Sequence, residues 1–248
     1  MRVRIAFWIF ICVSAASADE LRFESGDKQT ALVELYTSEG CSSCPPAEAW
    51  LSKLKSNPGL WKDFVPLAFH VDYWDRLGWR DRFAASAWTQ RQSAYASLLR
   101  SGSVYTPEFV VNGSEWRDWF RNGRLPETNI RGGILSAATT DGKKVSISYQ
   151  RTDESELEAH VALLGCGISS KIGGGENSGR QLTRDFAVLD HRASSMTNSA
   201  EAARADIAIE KTDQDVPQKA IAIWITRAKQ LAPLQATGGW LRNVALRE

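Results

Sequence analysis

The sequence has little net charge and, after its first residues, no apolar segment long enough to cross a membrane. Its 30 Lys and Arg residues nearly balance its 29 Asp and Glu residues, which leaves a formal net charge of +1. Nucleic-acid-binding surfaces carry clustered positive charge and disordered tails carry strong charge of one sign, so this balance argues against both. The 248 residues are enough for one large domain or two modest ones.

Histidine and cysteine are scarce, with 3 and 4 residues respectively. A structural zinc site needs four ligands, and neither a second Cys-x-x-Cys motif nor a close His pair accompanies Cys41-Ser-Ser-Cys44. His160 and His191 have no nucleophile motif beside them, so nothing indicates a Ser-His-Asp hydrolase.

The first 18 residues have the features of a cleavable signal peptide. Arg2 and Arg4 precede nine apolar residues at positions 5–13, and Ala16-Ser-Ala18 matches the A-x-A pattern of cleavage sites. As a helix, a segment of this length extends for ~14 Å, whereas the apolar core of a bilayer is ~30 Å thick. We therefore predict a periplasmic or secreted protein that loses residues 1–18 and has no stable membrane insertion afterwards.

Removal of the predicted signal peptide would reduce the number of cysteines from four to three. Cys12 lies in the predicted signal peptide, so Cys41, Cys44 and Cys166 remain in the mature chain. An oxidising compartment permits a disulfide between the first two, and Cys166 is then expected to be a buried structural thiol.

Two kinds of pattern follow each other along the mature chain. Strand and helix patterns alternate first, with strands predicted at 31–37, 65–71 and 108–111 and helices after Cys44 and at 82–100. This order predicts an α/β N-terminal domain over residues 28–140. Short alternating segments separated by turn residues then predict a smaller, sandwich-like all-β domain over residues 141–248.

Cys41 and Cys44 lie at the predicted turn from a strand to a helix. The free N–H groups and dipole of a helix N-terminus favour a thiolate, and a second cysteine one turn later can attack a mixed disulfide. The spacing therefore predicts Cys41 as the nucleophile and Cys44 as the resolving residue. Pro45 disfavours helical backbone at Cys44, so the helix is expected to begin at Pro45. A structural disulfide and half of a zinc site are the alternatives.

Three sequence runs resemble a bacterial secreted thioredoxin-like family whose own function is unsettled. They are ELYTSEGCSSCPPA at 34–47, HVDYWD at 70–75 and SVYTP at 103–107, with a weaker match in GGENSGR at 174–180. The resemblance implies a thioredoxin-like fold for the N-terminal domain and a redox-active Cys41–Cys44 disulfide, with no other cofactor.

The same resemblance implies roles for residues outside the Cys-x-x-Cys motif. Thr106-Pro107 is expected to be a cis peptide facing the dithiol, where Thr106 aligns the backbone of the substrate. Glu34 is expected to accept the proton of Cys44, unless it is an ordinary charged strand residue on a solvated face.

Polar and aromatic residues follow the second predicted strand. We predict that His70, Asp72, Tyr73 and Trp74 form the rim of a substrate groove beside the dithiol; the alternative is a cluster at the edge of the core with hydrogen-bonded polar tips. Glu39 is expected to be solvated. The glycine-rich residues 173–179 lack the ending of a phosphate-binding loop and are expected to form a mobile hairpin tip.

Together these features predict an exported thiol–disulfide oxidoreductase that acts on protein or small thiol substrates and not on nucleic acid. Whether it oxidises, reduces or isomerises them is left open, as are its oligomeric state and the role of its β-rich C-terminal domain. The alternative is a copper-delivery protein with Cys41, Cys44 and His70 as soft-metal ligands, or a non-catalytic binding module.

Overall fold

β-Strands make up most of the regular structure in the computed structural model, which describes residues 20–121, 123–140, 142–150, 155–210 and 216–241. This part of the chain has two α-helices, α1 (Pro45–Lys53) and α2 (Ser86–Leu99). No helix among the described residues is long and apolar enough to span a membrane. The predicted signal peptide, residues 1–18, lies outside the described residues.

Fifteen strands and three short 3-10 helices complete the elements of the described residues. The strands are β1 (Leu21–Glu24), β2 (Ala31–Thr37), β3 (Phe64–His70), β4 (Glu108–Val111), β5 (Ser114–Glu115), β6 (Leu135–Thr139), β7 (Lys144–Tyr149), β8 (Leu157–Cys166), β9 (Ile168–Lys171), β10 (Gln181–Arg184), β11 (Ala187–Ser195), β12 (Thr197–Asn198), β13 (Ala203–Ala208), β14 (Gln218–Arg227) and β15 (Pro233–Trp240). The 3-10 helices are Leu54–Ser56, Asp75–Leu77 and Asp118–Phe120.

An eight-stranded sheet is the largest unit, with the strand order β15-β14-β8-β11-β3-β2-β4-β5. β3 pairs in parallel with β2 and with β11, and the other neighbouring pairs of this sheet are antiparallel. A five-stranded antiparallel sheet has the order β1-β6-β7-β13-β12, and β9 and β10 pair as a separate hairpin.

The eight-stranded sheet is the middle of three layers, because its inner strands bury side chains on both faces. On β14, Ala222 and Trp224 pack in a core shared with α1 and α2, whereas Ile221 and Ile223 pack in a second core shared with the five-stranded sheet. Strands buried on both faces form continuous apolar runs rather than alternating ones. The segment AIAIWI of β14 has this character.

The predicted fold class, an α/β thioredoxin-like domain followed by a separate sandwich-like β domain, is wrong. The described chain is mostly β, and β8, β11, β14 and β15 continue the sheet that contains β2, β3, β4 and β5. The apolar pattern of a strand indicates which of its faces are buried, but not which strand is hydrogen-bonded to its edge. The local patterns therefore could not indicate that β11, after residue 140, pairs with β3, before it.

Candidate functional site

The cysteine pair lies in a turn between the end of β2 and the start of α1. The turn, residues 38–44, is closed by backbone hydrogen bonds from Cys41 N to Ser38 O (3.2 Å) and from Cys44 N to Cys41 O (3.3 Å). The helix begins at Pro45, as predicted, because a proline at the first helical position needs no partner for the N–H it lacks. Both thiols are free and buried.

Polar groups surround the sulfur of Cys41. It lies 3.2 Å from Ser43 Oγ and 3.8 Å from the carbonyl oxygen of Thr106. A hydrogen bond from the Cys44 thiol outweighs the opposing effect of burial and, with bonds from Ser43 and Thr106, lowers the pKa of Cys41 to about 6. Cys41 is therefore mostly thiolate at neutral pH.

Cys44 has the opposite character. Burial raises its pKa well above the ordinary value for a thiol, and the hydrogen bond to Cys41 together with the charge of the Cys41 thiolate raises it further. Since thiolates are the nucleophilic form, the pair consists of a reactive Cys41 and a protonated Cys44 that is held next to it.

Thr106 and Pro107 lie beside the dithiol, and the peptide bond between them is cis. Ser43 Oγ lies 3.3 Å from the Thr106 carbonyl oxygen, and the indole N–H of Trp74 donates to Thr106 Oγ1 at 2.8 Å. The structure thus brings Thr106, Trp74 and the cysteine turn together, although 65 residues separate Cys41 from Thr106.

Tyr73 and Trp74 are partly exposed and pack with their rings 6.4 Å apart, as expected for an aromatic rim. Tyr73 OH donates to Gln92 Oε1 on α2 at 3.3 Å. The Asp72 carboxylate is hydrogen-bonded to α2, where it accepts from the Thr89 hydroxyl at 2.6 Å. Of the residues predicted for the rim, Tyr73 and Trp74 are thus partly exposed, and Asp72 ties their loop to α2.

His70 is buried at the end of β3, where its Nδ1 lies 2.6 Å from Asp81 Oδ2. Burial by itself lowers the pKa of His70, but the charge and hydrogen bond of Asp81 outweigh it, so the pKa is raised. Among the described residues, no group of three or more His, Cys, Asp or Glu side chains is arranged to hold a metal ion. The copper alternative, with Cys41, Cys44 and His70 as ligands, is taken up below.

Glu34 lies on β2 and is fully buried. Its carboxylate accepts hydrogen bonds from Arg91 Nε at 2.7 Å, from Tyr95 OH at 2.6 Å and from Tyr36 OH at 3.2 Å. These partners are two residues of α2 and a neighbour on the same strand, so the solvated alternative does not describe Glu34. The bonds join β2 to α2 and do not involve Cys44.

A second buried acid lies on α1, the helix that begins directly after Cys44. The Thr37 hydroxyl, at the end of β2, donates to Glu48 Oε1 on α1 at 2.8 Å. Burial raises the pKa of Cys44, and the interaction of its thiol with Thr37 offsets part of that rise. The sequence offered only a weak signal for Glu48, which follows Cys44 by one helical turn and therefore lies on the same side of α1.

Arg184 of β10 neutralises the acids beneath the turn. It forms an ion pair with Glu39, and its Nε lies 3.7 Å from Glu48 Oε2. Glu39 also accepts from Trp79 Nε1 at 2.6 Å and is buried. The expectation that Glu39 is solvated is therefore wrong, because an arginine 145 residues later in the chain compensates its charge.

Residues 173–179 form the tip of the β9–β10 hairpin and pack against the cysteine turn. Their contacts with the turn include a bond from Ser42 Oγ to Glu176 Oε2 at 2.7 Å and one from Asn177 Nδ2 to Cys41 O at 2.8 Å. Sequence reasoning identified the hairpin tip but missed Glu176 and Asn177 as residues of the site.

Cys166 lies apart from the pair, at the end of β8. The backbone N–H of Phe186 donates to its sulfur at 3.3 Å, and burial raises its pKa to about 12. Such a thiol stays protonated and unreactive near neutral pH, which agrees with the structural role expected for it.

Two solved structures are similar to this chain in fold. The crystal structure of protein AGR_C_4864 from Agrobacterium tumefaciens superposes with a TM-score of 0.61 and 22% identity, covering 90% of this chain and 99% of the other. HBP35 of Porphyromonas gingivalis superposes with a TM-score of 0.56 and 12% identity, covering 88% of this chain and 76% of the other. At these identities the similarity concerns the fold alone.

Curated protein sequences contain no significant match to this chain. The family described as "Protein of unknown function (DUF1223)" matches residues 32–226, which include the cysteine turn, Thr106-Pro107 and the β9–β10 hairpin. The chain therefore belongs to the DUF1223 family.

Proposed function

We propose that this protein is an exported thiol–disulfide oxidoreductase in which Cys41 and Cys44 exchange electrons with disulfides of protein or small thiol substrates. One observation carries the proposal: two adjacent buried thiols have pKa values shifted in opposite directions, and the acidic one lies beside the Thr106 carbonyl. A nucleophile next to a protonated resolving thiol is the arrangement that disulfide exchange needs.

The exchange proceeds in two balanced steps in the reducing direction. The Cys41 thiolate attacks one sulfur of the substrate disulfide; a bond between Cys41 and that sulfur forms as the substrate S–S bond breaks, and the other substrate sulfur leaves as a thiolate. Cys44 then loses its proton and attacks the Cys41 sulfur, which releases the second substrate thiol and leaves a Cys41–Cys44 disulfide. Two electrons pass to the substrate, and the oxidising direction is the reverse.

Glu48 is proposed to receive the proton of Cys44. The Thr37 hydroxyl can accept and donate at once, and its contacts with Cys44 and Glu48 support a proton shift between the two. This role replaces the one predicted for Glu34, whose carboxylate is occupied by Arg91, Tyr95 and Tyr36.

Capture of mixed disulfides in cells tests the proposal. Cys44→Ala keeps the nucleophile and removes the resolving thiol, so it is expected to accumulate mixed disulfides with substrate proteins. The matched controls are the Cys41→Ser, Cys44→Ala double variant, which should capture nothing, and Cys166→Ser, which should behave like the wild type. Equal capture by Cys44→Ala and the double variant would overturn the proposal.

The reduction potential of the dithiol provides a second test. A value near about −270 mV is typical of a reductant and one near about −120 mV of an oxidant. A value well below about −300 mV would indicate a permanently closed structural disulfide and would contradict the proposal. Export is tested separately by cell fractionation, with Asp19 expected as the N-terminal residue of the processed protein.

Copper delivery remains an alternative prediction and has its own test. The reduced protein is titrated with Cu(I), with Cys41→Ser and His70→Ala as variants. Stoichiometric binding that both variants lose would support delivery, whereas binding that His70→Ala retains would contradict the predicted ligand set.

A further inference from the structure

The β9–β10 hairpin reaches the cysteine turn through a run of three glycines, Gly173 to Gly175, that pack closely against the segment of Gly78 and Trp79. A Cβ on Gly174 would overlap the carbonyl oxygen of Gly78, and one on Gly173 would lie 3.0 Å from the ring of Trp79. Gly175 has φ +67° and lies against Gly40 in the cysteine turn. These glycines let backbone pack directly on backbone, so the hairpin tip has a defined position over the turn.

Asn177 at this tip is fully buried, and all its amide groups are bonded. Its Nδ2 donates to the carbonyl oxygens of Glu39 at 2.9 Å and Cys41 at 2.8 Å, while its Oδ1 accepts from Arg180 Nη1 at 2.7 Å. The Asn177 side chain therefore holds two carbonyl groups of a turn that belongs to another part of the chain.

Glu176 binds the other side of the same turn. Its Oε2 accepts from the backbone N–H of Ser42 at 3.0 Å and from the Ser42 hydroxyl at 2.7 Å. The carbonyl of Cys41 and the N–H of Ser42 belong to one peptide group. Neighbouring residues of the hairpin thus hold both polar atoms of that peptide, one by an amide donor and the other by a carboxylate acceptor.

We infer that Glu176 and Asn177 act as a clamp that fixes the Cys41–Ser42 peptide and thereby positions Cys41 for thiol–disulfide exchange. The inference rests on the proposed function and assigns positioning residues to it. The peptide that follows the clamped one carries the N–H of Ser43, one of the groups whose interaction with the sulfur lowers the pKa of Cys41. A fixed Cys41–Ser42 peptide keeps that donor aimed at the thiolate before substrate arrives.

The two halves of the clamp have opposite electrostatic effects, which gives the inference a distinctive signature. Loss of the Asn177 amide frees the turn and weakens the hydrogen bonds to the Cys41 thiolate, so it disfavours the thiolate. Glu176 holds the turn with the negative charge of a carboxylate that accepts from Ser42, the residue next to Cys41. Glu176→Gln keeps an acceptor for Ser42 and removes that charge, so it favours the thiolate.

The experiment measures the pH dependence of thiolate absorbance and of the exchange rate with a small aromatic disulfide in wild type, Asn177→Ala and Glu176→Gln. Ser178→Ala, an exposed position in the same tip, is the matched control. Asn177→Ala is expected to raise the midpoint of the Cys41 titration by at most about one pH unit, because the hydrogen bonds to the thiolate lose their alignment and are not themselves removed. Glu176→Gln is expected to lower it, and Ser178→Ala to leave it unchanged.

The outcomes separate the clamp from the proposed function. If wild type exchanges disulfides but both clamp variants titrate like Ser178→Ala, the clamp is overturned and the oxidoreductase stands. If wild type does not exchange, the oxidoreductase proposal fails, and with it the catalytic meaning of the clamp. Thermal unfolding of each variant controls for folding. Should Asn177→Ala fail to fold, Glu176→Ala decides instead: it removes the same charge as Glu176→Gln and also the acceptor for Ser42, so its midpoint should lie above that of Glu176→Gln, and equal midpoints would overturn the clamp.

Discussion

Two buried thiols of this protein differ strongly in acidity because they have different partners. Cys166 accepts a hydrogen bond from one backbone N–H, and burial raises its pKa to about 12. Cys41 is also buried, yet hydrogen bonds from Cys44, Ser43 and Thr106 lower its pKa to about 6. Burial disfavours the thiolate at both positions, so the difference comes from the donors that surround Cys41.

Ser43→Ala tests this explanation by removing one of those donors. Alkylation of Cys41 by iodoacetamide should rise as the pH increases through about 6 in the wild type, because the thiolate is the reacting form. In the variant the midpoint should move up by about one pH unit. Ser56→Ala, an exposed hydroxyl distant from the sulfur, is the control; equal midpoints for the two variants would contradict the explanation.

Glu48→Gln tests the proton route of the resolving step. Without a carboxylate to receive the proton of Cys44, release of a preformed mixed disulfide should slow by on the order of 10²-fold at neutral pH. The alkylation rate of Cys41 should stay as in the wild type, since the first step does not use Glu48. Glu34→Gln is the comparison, and slower release in that variant than in Glu48→Gln would restore the role first predicted for Glu34.

Elements that depend on local sequence agree with their predictions. β2 and α1 occupy the expected residues, α2 (Ser86–Leu99) lies within the predicted helix, and β4 begins directly after Pro107. Apolar spacing, proline and turn residues determine such elements, and all of these signals lie within about ten residues of the element. The local sequence does not indicate which other elements a strand or helix will contact. Glu34 was therefore predicted to accept the proton of Cys44, whereas its carboxylate is hydrogen-bonded to residues of α2.

Arg91→Met tests the bonds that hold α2 on the sheet. The variant leaves the Glu34 carboxylate buried without its cation, which should lower the free energy of unfolding by about 3–5 kcal/mol. Arg22→Met, which breaks the exposed pair with Glu20, should cost less than about 1 kcal/mol. Urea unfolding of both variants measures the difference, and similar losses would show that the buried pair adds nothing specific.

At the scale of the whole molecule, strands from both halves of the chain share both large sheets. β11 pairs with β3 on one side and with β8 on the other. β1 pairs with β6, although more than 100 residues separate the two strands along the chain. The core between the two sheets draws on residues from Phe23 to Ile225. Folding of the cysteine site therefore depends on strands that follow it by more than 100 residues.

A fragment of residues 19–140 tests this dependence. It retains the cysteine turn and Thr106-Pro107 but lacks β8, β11, β14 and β15, so the edge of β3 and one face of its core lose their partners. The fragment is expected to be unfolded by circular dichroism and to show no cooperative thermal transition, in contrast to residues 19–248. Cooperative unfolding of the fragment would instead support an independent domain ending near residue 140.

The sequence by itself determined the cysteine turn, the start of α1 at Pro45, the position of Thr106-Pro107 before a strand and the likeness to a family. These features are encoded by residues close to one another along the chain. Only the tertiary structure decided that Glu48, Arg184 and Asn177 lie around the cysteine turn and that Glu34 is hydrogen-bonded to α2. It alone also decided that strands from both halves of the chain form one sheet. Those contacts are set by strand pairing and by charge compensation between distant segments, which depend on the packing of the whole chain.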